Sequence, residues 1–149
     1  MGTVRAIWRK RSKGGPMDPL ESARLEAGGG LEGNADYGGS RQLTVISEES
    51  FRDVDEALGR RVDRRLRRAN LLVEGVDLVE SRGRILRVGE AEIEIGGETR
   101  PCRQMEESCP GLQDALGPGW RGGVWGRVLA DGEIAVGDPV RLEPAEELA

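Results

Sequence analysis

Short apolar runs broken by glycine constrain this chain's fold more than any other feature. Residues 3–8 (TVRAIW), 22–27, 42–47 (QLTVIS), 69–73, 84–88, 90–95, 123–129, 134–136 and 140–142 are each too short for a globular helix. They carry Val, Ile, Leu, Trp and Thr in rough alternation, the pattern of half-buried strands. The 23 glycines gather between them, where turns need backbone angles other residues avoid. Gly89 and Asp131-Gly132 mark hairpins, and Gly96-Gly97 marks a further turn. One stretch breaks the rhythm. Ser47 reads as an N-cap followed by Glu48 and Glu49, and Phe51, Val54, Leu58, Val62 and Leu66 then recur at helical spacing. The spacing predicts a helix continuing into the basic residues 60–68. A second, short helix is expected over residues 110–116, opened by Pro110 and closed by Gly117. The expected fold is mostly β and barrel-like, with one principal α-helix and a short second one.

Composition narrows the function. At 149 residues the chain suits one domain, with a core over residues 4–142 and an acidic tail over residues 143–149. A net charge of −5 argues against a general nucleic-acid binder, and 3% aromatic residues are too few for a base-stacking platform. No apolar run approaches the roughly 20 residues of a membrane span, and residues 1–13 lack the apolar centre of a signal peptide. A soluble, cytoplasmic protein without a membrane or nucleic-acid partner is expected. The chain contains no histidine, which excludes the usual zinc sites, Ser-His or Cys-His nucleophile pairs and imidazole acid-base chemistry. Two cysteines seven residues apart make neither a disulfide framework nor a CxxC pair.

Chemistry is then left to sulfur, carboxylates, arginine or a bound cofactor. In Arg100-Pro101-Cys102-Arg103 a proline restricts the backbone ahead of the thiol, and the flanking arginines lower the cost of a thiolate. That is how a reactive or metal-binding sulfur would be presented; the alternative is a buried, inert cysteine. Cys109 lies before Pro110 without flanking arginines and is expected to have no role, or to resolve an oxidised Cys102. Lys13 belongs to a basic cluster running into Gly14-Gly15-Pro16, either a solvated loop or an anion grip. Most arginines of residues 60–68 are expected on a solvated face.

The order of several short motifs resembles the MOSC family, named for the C-terminal domain of molybdenum cofactor sulfurases. They are Gly30-Leu31-Glu32-Gly33, Arg41-Gln42, Arg68-Ala69-Asn70, Glu74-Gly75-Val76-Asp77-Leu78, Gly89-Glu90-Ala91 and Pro101-Cys102. The series closes with Arg127-Val128-Leu129, Gly132-Glu133-Ile134 and Gly137-Asp138-Pro139-Val140. The resemblance implies a β-rich barrel and an association with the molybdenum cofactor, a pterin dithiolene bearing a phosphate (molybdopterin). It implies that Cys102 is the catalytic residue and metal ligand, coordinating molybdenum or carrying sulfur, since a soft thiolate suits either task. Arg68 and Asn70 match the family's Arg-Pro-Asn pattern, with Ala69 in place of proline. The guanidinium would grip the phosphate and the amide would read the pterin edge. Arg41, Lys13 and Arg103 are weaker cofactor-binding candidates. Asn34 and Asp36 stand where the family often has an aspartate and a histidine.

A short stand-alone form is expected, without the pyridoxal-phosphate-dependent sulfurase domain of longer relatives. A cysteine desulfurase or a reductase would then be a separate partner protein. Three readings follow from the sequence. The chain binds the cofactor and takes part in sulfur transfer or reduction of N-hydroxylated compounds; or it is a non-catalytic carrier of the cofactor; or it is a thiol or structural interaction module without cofactor.

Overall fold

The computed structural model describes residues 1–100 and 103–144, and among these the alternating runs form eleven strands. They are β1 Gly2–Lys10, β2 Met17–Leu20, β3 Ser22–Glu26, β4 Gly30–Leu31, β5 Leu43–Ser47, β6 Leu71–Glu74, β7 Ile85–Val88, β8 Ala91–Glu98, β9 Val124–Ala130, β10 Gly132–Ala135 and β11 Pro139–Leu142. Three α-helices accompany them: α1 Glu48–Leu58, α2 Arg103–Ser108 and α3 Leu112–Leu116. Seven strands follow the order β11, β7, β8, β9, β5, β6, β1 and close into a barrel where Gly2 and Thr3 pair with Val140 and Pro139. Closure removes the free edges that an open sheet would expose. The mostly β barrel with one principal helix is thus as expected.

Every neighbouring pair in the barrel is antiparallel except β5 with β6, which run parallel with Val45 opposite Leu71. A parallel pair needs a long crossover, and α1 supplies it. Strand β2 adds to the later half of β1, and its Pro19 is tolerated at that edge position opposite Trp8. A small separate sheet orders β10, β3, β4.

Period-two alternation divides the apolar residues between two cores. Val4, Ile7, Val45, Leu71 and Val73 face the barrel interior, joined by Leu25, Leu31 and Ile134 from the small sheet. Their neighbours Trp8, Ile46 and Leu72 face outward and meet Phe51, Val54, Met105, Leu112 and Leu116 from the helical layer. Both faces of β1, β6 and β5 are therefore buried, which explains the nearly unbroken apolar run of residues 71–73. No helix among the described residues is long and apolar enough to cross a membrane.

The structure corrects four local expectations. Helix α1 starts as expected, with Ser47 Oγ accepting the Ser50 N–H at 3.0 Å, but it stops at Leu58. Gly59 there adopts φ 70° and ψ 21°, and its N–H bonds the carbonyls of Asp55 and Glu56. A left-handed glycine ends a helix regardless of the apolar spacing beyond it. Val62 and Leu66 still reach the helical layer because the chain folds back, helped by the Val62 N–H bond to the Asp55 carboxylate at 2.8 Å. Residues Arg64–Arg67 form a 3-10 turn instead of a helix end.

Gly96-Gly97 is not a turn, because β8 runs through both residues. A Cβ on Gly96 would fall 2.1 Å from the Trp125 ring, so the missing side chain makes room for that indole. Asp131-Gly132 does not make a paired hairpin. Strand β10 leaves β9 to pair with β3, and the Asp131 carboxylate bonds the Ala27 N–H and Arg24 across that corner. Finally, α2 precedes the expected short helix, which begins at Leu112.

Candidate functional site

Next to the parallel pair, the turn that opens β6 is set by an ion network. Arg64 is 4% exposed, and its Nε and Nη2 bond the two Glu48 oxygens at 2.9 and 3.0 Å. Nη1 and Nη2 bond the Asp55 oxygens at 2.7 and 2.9 Å, and Nη1 also reaches the Val62 carbonyl at 2.8 Å. The guanidinium lies over the Phe51 ring as well, 5.1 Å from its centroid. By hydrogen bonds and charge it holds both carboxyls below their usual range. Burial alone would lower the pKa of Arg64, but Asp55 and Glu48 outweigh it and hold it raised. The network fastens the turn to α1, so the residues after Arg64 emerge at a set position and angle.

Those residues are Arg67 and Arg68. Arg67 is buried; its Nε donates to the Gly122 carbonyl at 2.7 Å and its Nη2 to the Thr99 hydroxyl. Arg68 caps the turn in the left-handed region, at φ 62° and ψ 38°. This costs a residue with a Cβ about 1 kcal/mol or more, and strain of this kind gathers at functional positions. Its Nη2 donates to the Gly15 carbonyl at 2.6 Å, tying the loop between β1 and β2 to the entry of β6.

Asn70 stitches the same region together. Its backbone N–H bonds the Thr44 carbonyl at 3.0 Å and its Oδ1 accepts the Thr44 N–H at 3.1 Å. Its Nδ2 donates to the Trp8 carbonyl at 3.1 Å and to Asn34 Oδ1 at 3.2 Å. Asn34 in turn accepts the Lys10 N–H at 2.7 Å and donates to the Asp36 carbonyl at 2.9 Å. Both amides are buried and engaged with the protein.

These elements surround an open cleft of about 650 Å³. Lys10 and Lys13 come from the end of β1 and the loop after it, residues 35–42 form one wall, and Thr44 and Asn70 lie at the base. Arg67, Arg68, Thr99, Arg100, Gln104 and Met105 complete the lining. Six cationic side chains, Lys10, Lys13, Arg41, Arg67, Arg68 and Arg100, thus share it with one carboxylate, Asp36, which is paired with Lys10. The chain as a whole has 22 basic and 27 acidic residues, so this is a strong local reversal of sign. Like charges gathered in one concavity repel each other and attract an anion.

Of the residues expected to bind a cofactor, Lys13, Arg41, Arg68 and Asn70 meet in this cleft although they are far apart in sequence. Arg103 does not line it; on the exposed face of α2 its Nε lies 3.7 Å from Glu107. Cys102 lies outside the described residues, while Arg100 before it and Gln104 after it both line the cleft. Cys109 is buried, with Arg60 Nη2 3.0 Å from its sulfur. Lys10, Arg67 and Arg100 were not among the expected site residues. Arg67 stands in a run of arginines expected on a solvated face, and nothing local distinguishes the two that are buried, Arg64 and Arg67. Among the described residues no cluster of three or more acidic or sulfur side chains could hold a metal ion.

The family model for the MOSC domain matches residues 32–141. The fold is similar to the crystal structure of the YuaD protein from Bacillus subtilis, with a TM-score of 0.82 at 19% identity over 98% of both chains. It is similar to YiiM from Geobacillus stearothermophilus, with a TM-score of 0.73 at 20% identity over 97% of this chain and 76% of the other. YiiM from Escherichia coli aligns with a TM-score of 0.66 at 21% identity over 97% and 71%. No curated protein matches the sequence.

Proposed function

The chain belongs to the MOSC domain family, and from that premise we propose that the cationic cleft binds the molybdenum cofactor through its phosphate, with Cys102 as the thiolate that ligates molybdenum or carries sulfur. The observation that carries this reading is the six-to-one excess of cations over carboxylates in a cleft of an acidic protein. A phosphate with two negative charges suits such a lining. The cleft, about 650 Å³, is also within the range of small-molecule and cofactor sites.

Arg68 and Lys13 are the proposed phosphate grip. Arg68 is held by its cap geometry and Lys13 rides on the loop whose Gly15 carbonyl Arg68 already bonds. Asn70 has a different part in this reading from the one its motif suggests. Its amide is engaged with Trp8, Thr44 and Asn34, so it shapes the base of the cleft instead of reading the pterin edge. Arg103 acts through charge alone, lowering the cost of the adjacent Cys102 thiolate. When bound, the cofactor supplies a thiophilic, redox-active metal centre. Electrons for reducing an N-hydroxylated compound, or sulfur for transfer, come from a separate reductase or cysteine desulfurase.

The test is expression in a host that makes the cofactor, followed by measurement of bound molybdenum and of oxidised-pterin fluorescence. Near-stoichiometric pterin is expected in the wild type, falling in Arg68→Gln, with the metal's ligation altered in Cys102→Ala. Folded wild-type protein that carries no pterin, beside a control protein that does, would overturn the reading.

A further inference from the structure

Among the cations of the cleft, Arg41 is the one held by a ring. Its backbone is set by the residue that follows. Gln42, buried, donates its N–H to the Gly126 carbonyl at 3.0 Å and its Nε2 to the Gly39 carbonyl at 3.1 Å, while its Oε1 accepts the Val128 N–H at 2.9 Å. These bonds tie the entry of β5 to β9. The Arg41 guanidinium then lies over the Trp125 ring of β9, 5.1 Å from its centroid. Among the described residues that indole is the one partner of the guanidinium, whereas Lys10, Arg67 and Arg68 are fixed by hydrogen bonds or an ion pair.

The indole itself has a prepared seat. Ile95 of β8 stands opposite Gly126 and Gly97 opposite Trp125, so Gly96 is an extra residue on β8, a bulge of the kind that re-aims a neighbouring side chain. A Cβ on Gly96 would fall 2.1, 2.3 and 2.5 Å from three carbons of the six-membered indole ring, and one on Gly97 would fall 3.2 Å from Nε1. The two glycines thus let Trp125 lie against the β8 backbone. Trp125 does not line the cleft, but Arg41 does. Stacking engages the face of a guanidinium and leaves its N–H edge free for an anion. Arg41 precedes β5 and Arg68 precedes β6, and these are hydrogen-bonded parallel neighbours, so both arginines open onto one end of the barrel.

We propose that Trp125 is a positioning residue of the cleft: seated at the Gly96 bulge, it holds Arg41 with the N–H edge towards the bound phosphate. It acts through Arg41 and touches no ligand itself. An arginine already restrained in its bound rotamer loses less freedom when it grips an anion. The inference rests on the reading of the cleft as the site of the cofactor phosphate, and it adds Arg41 to the grip of Lys13 and Arg68.

The test is a double-mutant cycle on inorganic phosphate, measured by equilibrium dialysis of the full chain produced in a host unable to make the cofactor. Arg41→Gln is expected to weaken phosphate about tenfold or more. Trp125→Leu, which keeps an apolar side chain without a π face, weakens it about two- to tenfold, and Trp125→Phe restores most of that loss. Because the indole acts through Arg41, adding Trp125→Leu to Arg41→Gln costs nothing further. An equal loss from Trp125→Leu in both backgrounds would show a structural effect and overturn the proposal. It also fails if Trp125→Leu binds as wild type does, or if the wild type takes up no phosphate. Pterin content after expression in a cofactor-making host separates this from the cofactor reading. Full coupling in a wild type that never carries pterin supports the role of Trp125 and sinks the cofactor; pterin in the wild type without coupling does the reverse.

Discussion

Replacing Arg64 with methionine tests whether one buried cation organises the approach to the cleft. The substitution keeps most of the side-chain volume, removes five hydrogen bonds and leaves Glu48 and Asp55 without their shared partner. At 4% exposure water cannot readily take the guanidinium's place. Removing one member of a buried ion network costs about 3–5 kcal/mol, largely through the charges left behind. Domains of this size are stable by about 5–15 kcal/mol and lose roughly 2–4 °C per kcal/mol, so the melting temperature should fall by about 6–20 °C. Urea unfolding followed by tryptophan fluorescence would measure the loss directly. Neutralising the carboxyls in the same protein, with Glu48→Gln and Asp55→Asn, should recover part of it.

The pH dependence has a definite sign. Both carboxyls titrate lower in the folded chain than in the unfolded one, so on acidification the unfolded chain binds more protons. The network's contribution is complete above about pH 5 and is lost as the pH falls through 4 and below. In Arg64→Met the two carboxyls lose their shared buried cation and, among the described residues, only Glu48 keeps a paired one, Arg52 at 3.3 Å, so this loss on acidification should shrink. A cost below about 1 kcal/mol, or an unchanged acid slope, would refute the assignment of the turn's position to Arg64.

Two further substitutions probe the base of the cleft. Asn70→Ala removes the partners of the Thr44 N–H and the Trp8 carbonyl and should cost the cofactor-free chain about 2–3 kcal/mol in urea unfolding. Unchanged stability with lost pterin would return Asn70 to a ligand-reading role. Gly123→Ala places a Cβ 2.2 Å from the Val45 carbonyl oxygen at φ 89°, so it should cost well over the 1–2 kcal/mol of the left-handed conformation alone. Gly38→Ala is the control: its φ is 77° but a Cβ there meets nothing within 4 Å, and only about 1 kcal/mol should be lost in thermal melts.

The barrel was legible because its evidence is local. Val4, Val45, Leu71 and Val73 alternate with residues of the other face, and that period survives whichever strands become neighbours. The start of α1 was legible for the same reason, since Ser47 caps an N–H only three residues away. Its end was not, because Val62 and Leu66 keep the helical spacing while reaching the same layer by a reversed chain. Gly96-Gly97 and Asp131-Gly132 misled in a related way. Their glycines serve a ring on β9 and a corner into the small sheet, both set by partners distant in sequence.

By itself the sequence determined the β-rich class, the helix start, the family motifs and the kinds of side chain available in a chain without histidine. Tertiary structure alone decided which charges act together. It buried Arg64 and Arg67, left Arg103 outside the cleft, engaged Asn70 with the backbone, and brought Lys13, Arg41 and Arg68 to one concavity. The reason is physical. A strand's period depends on its own backbone, whereas the environment of an arginine depends on what the closed barrel brings beside it.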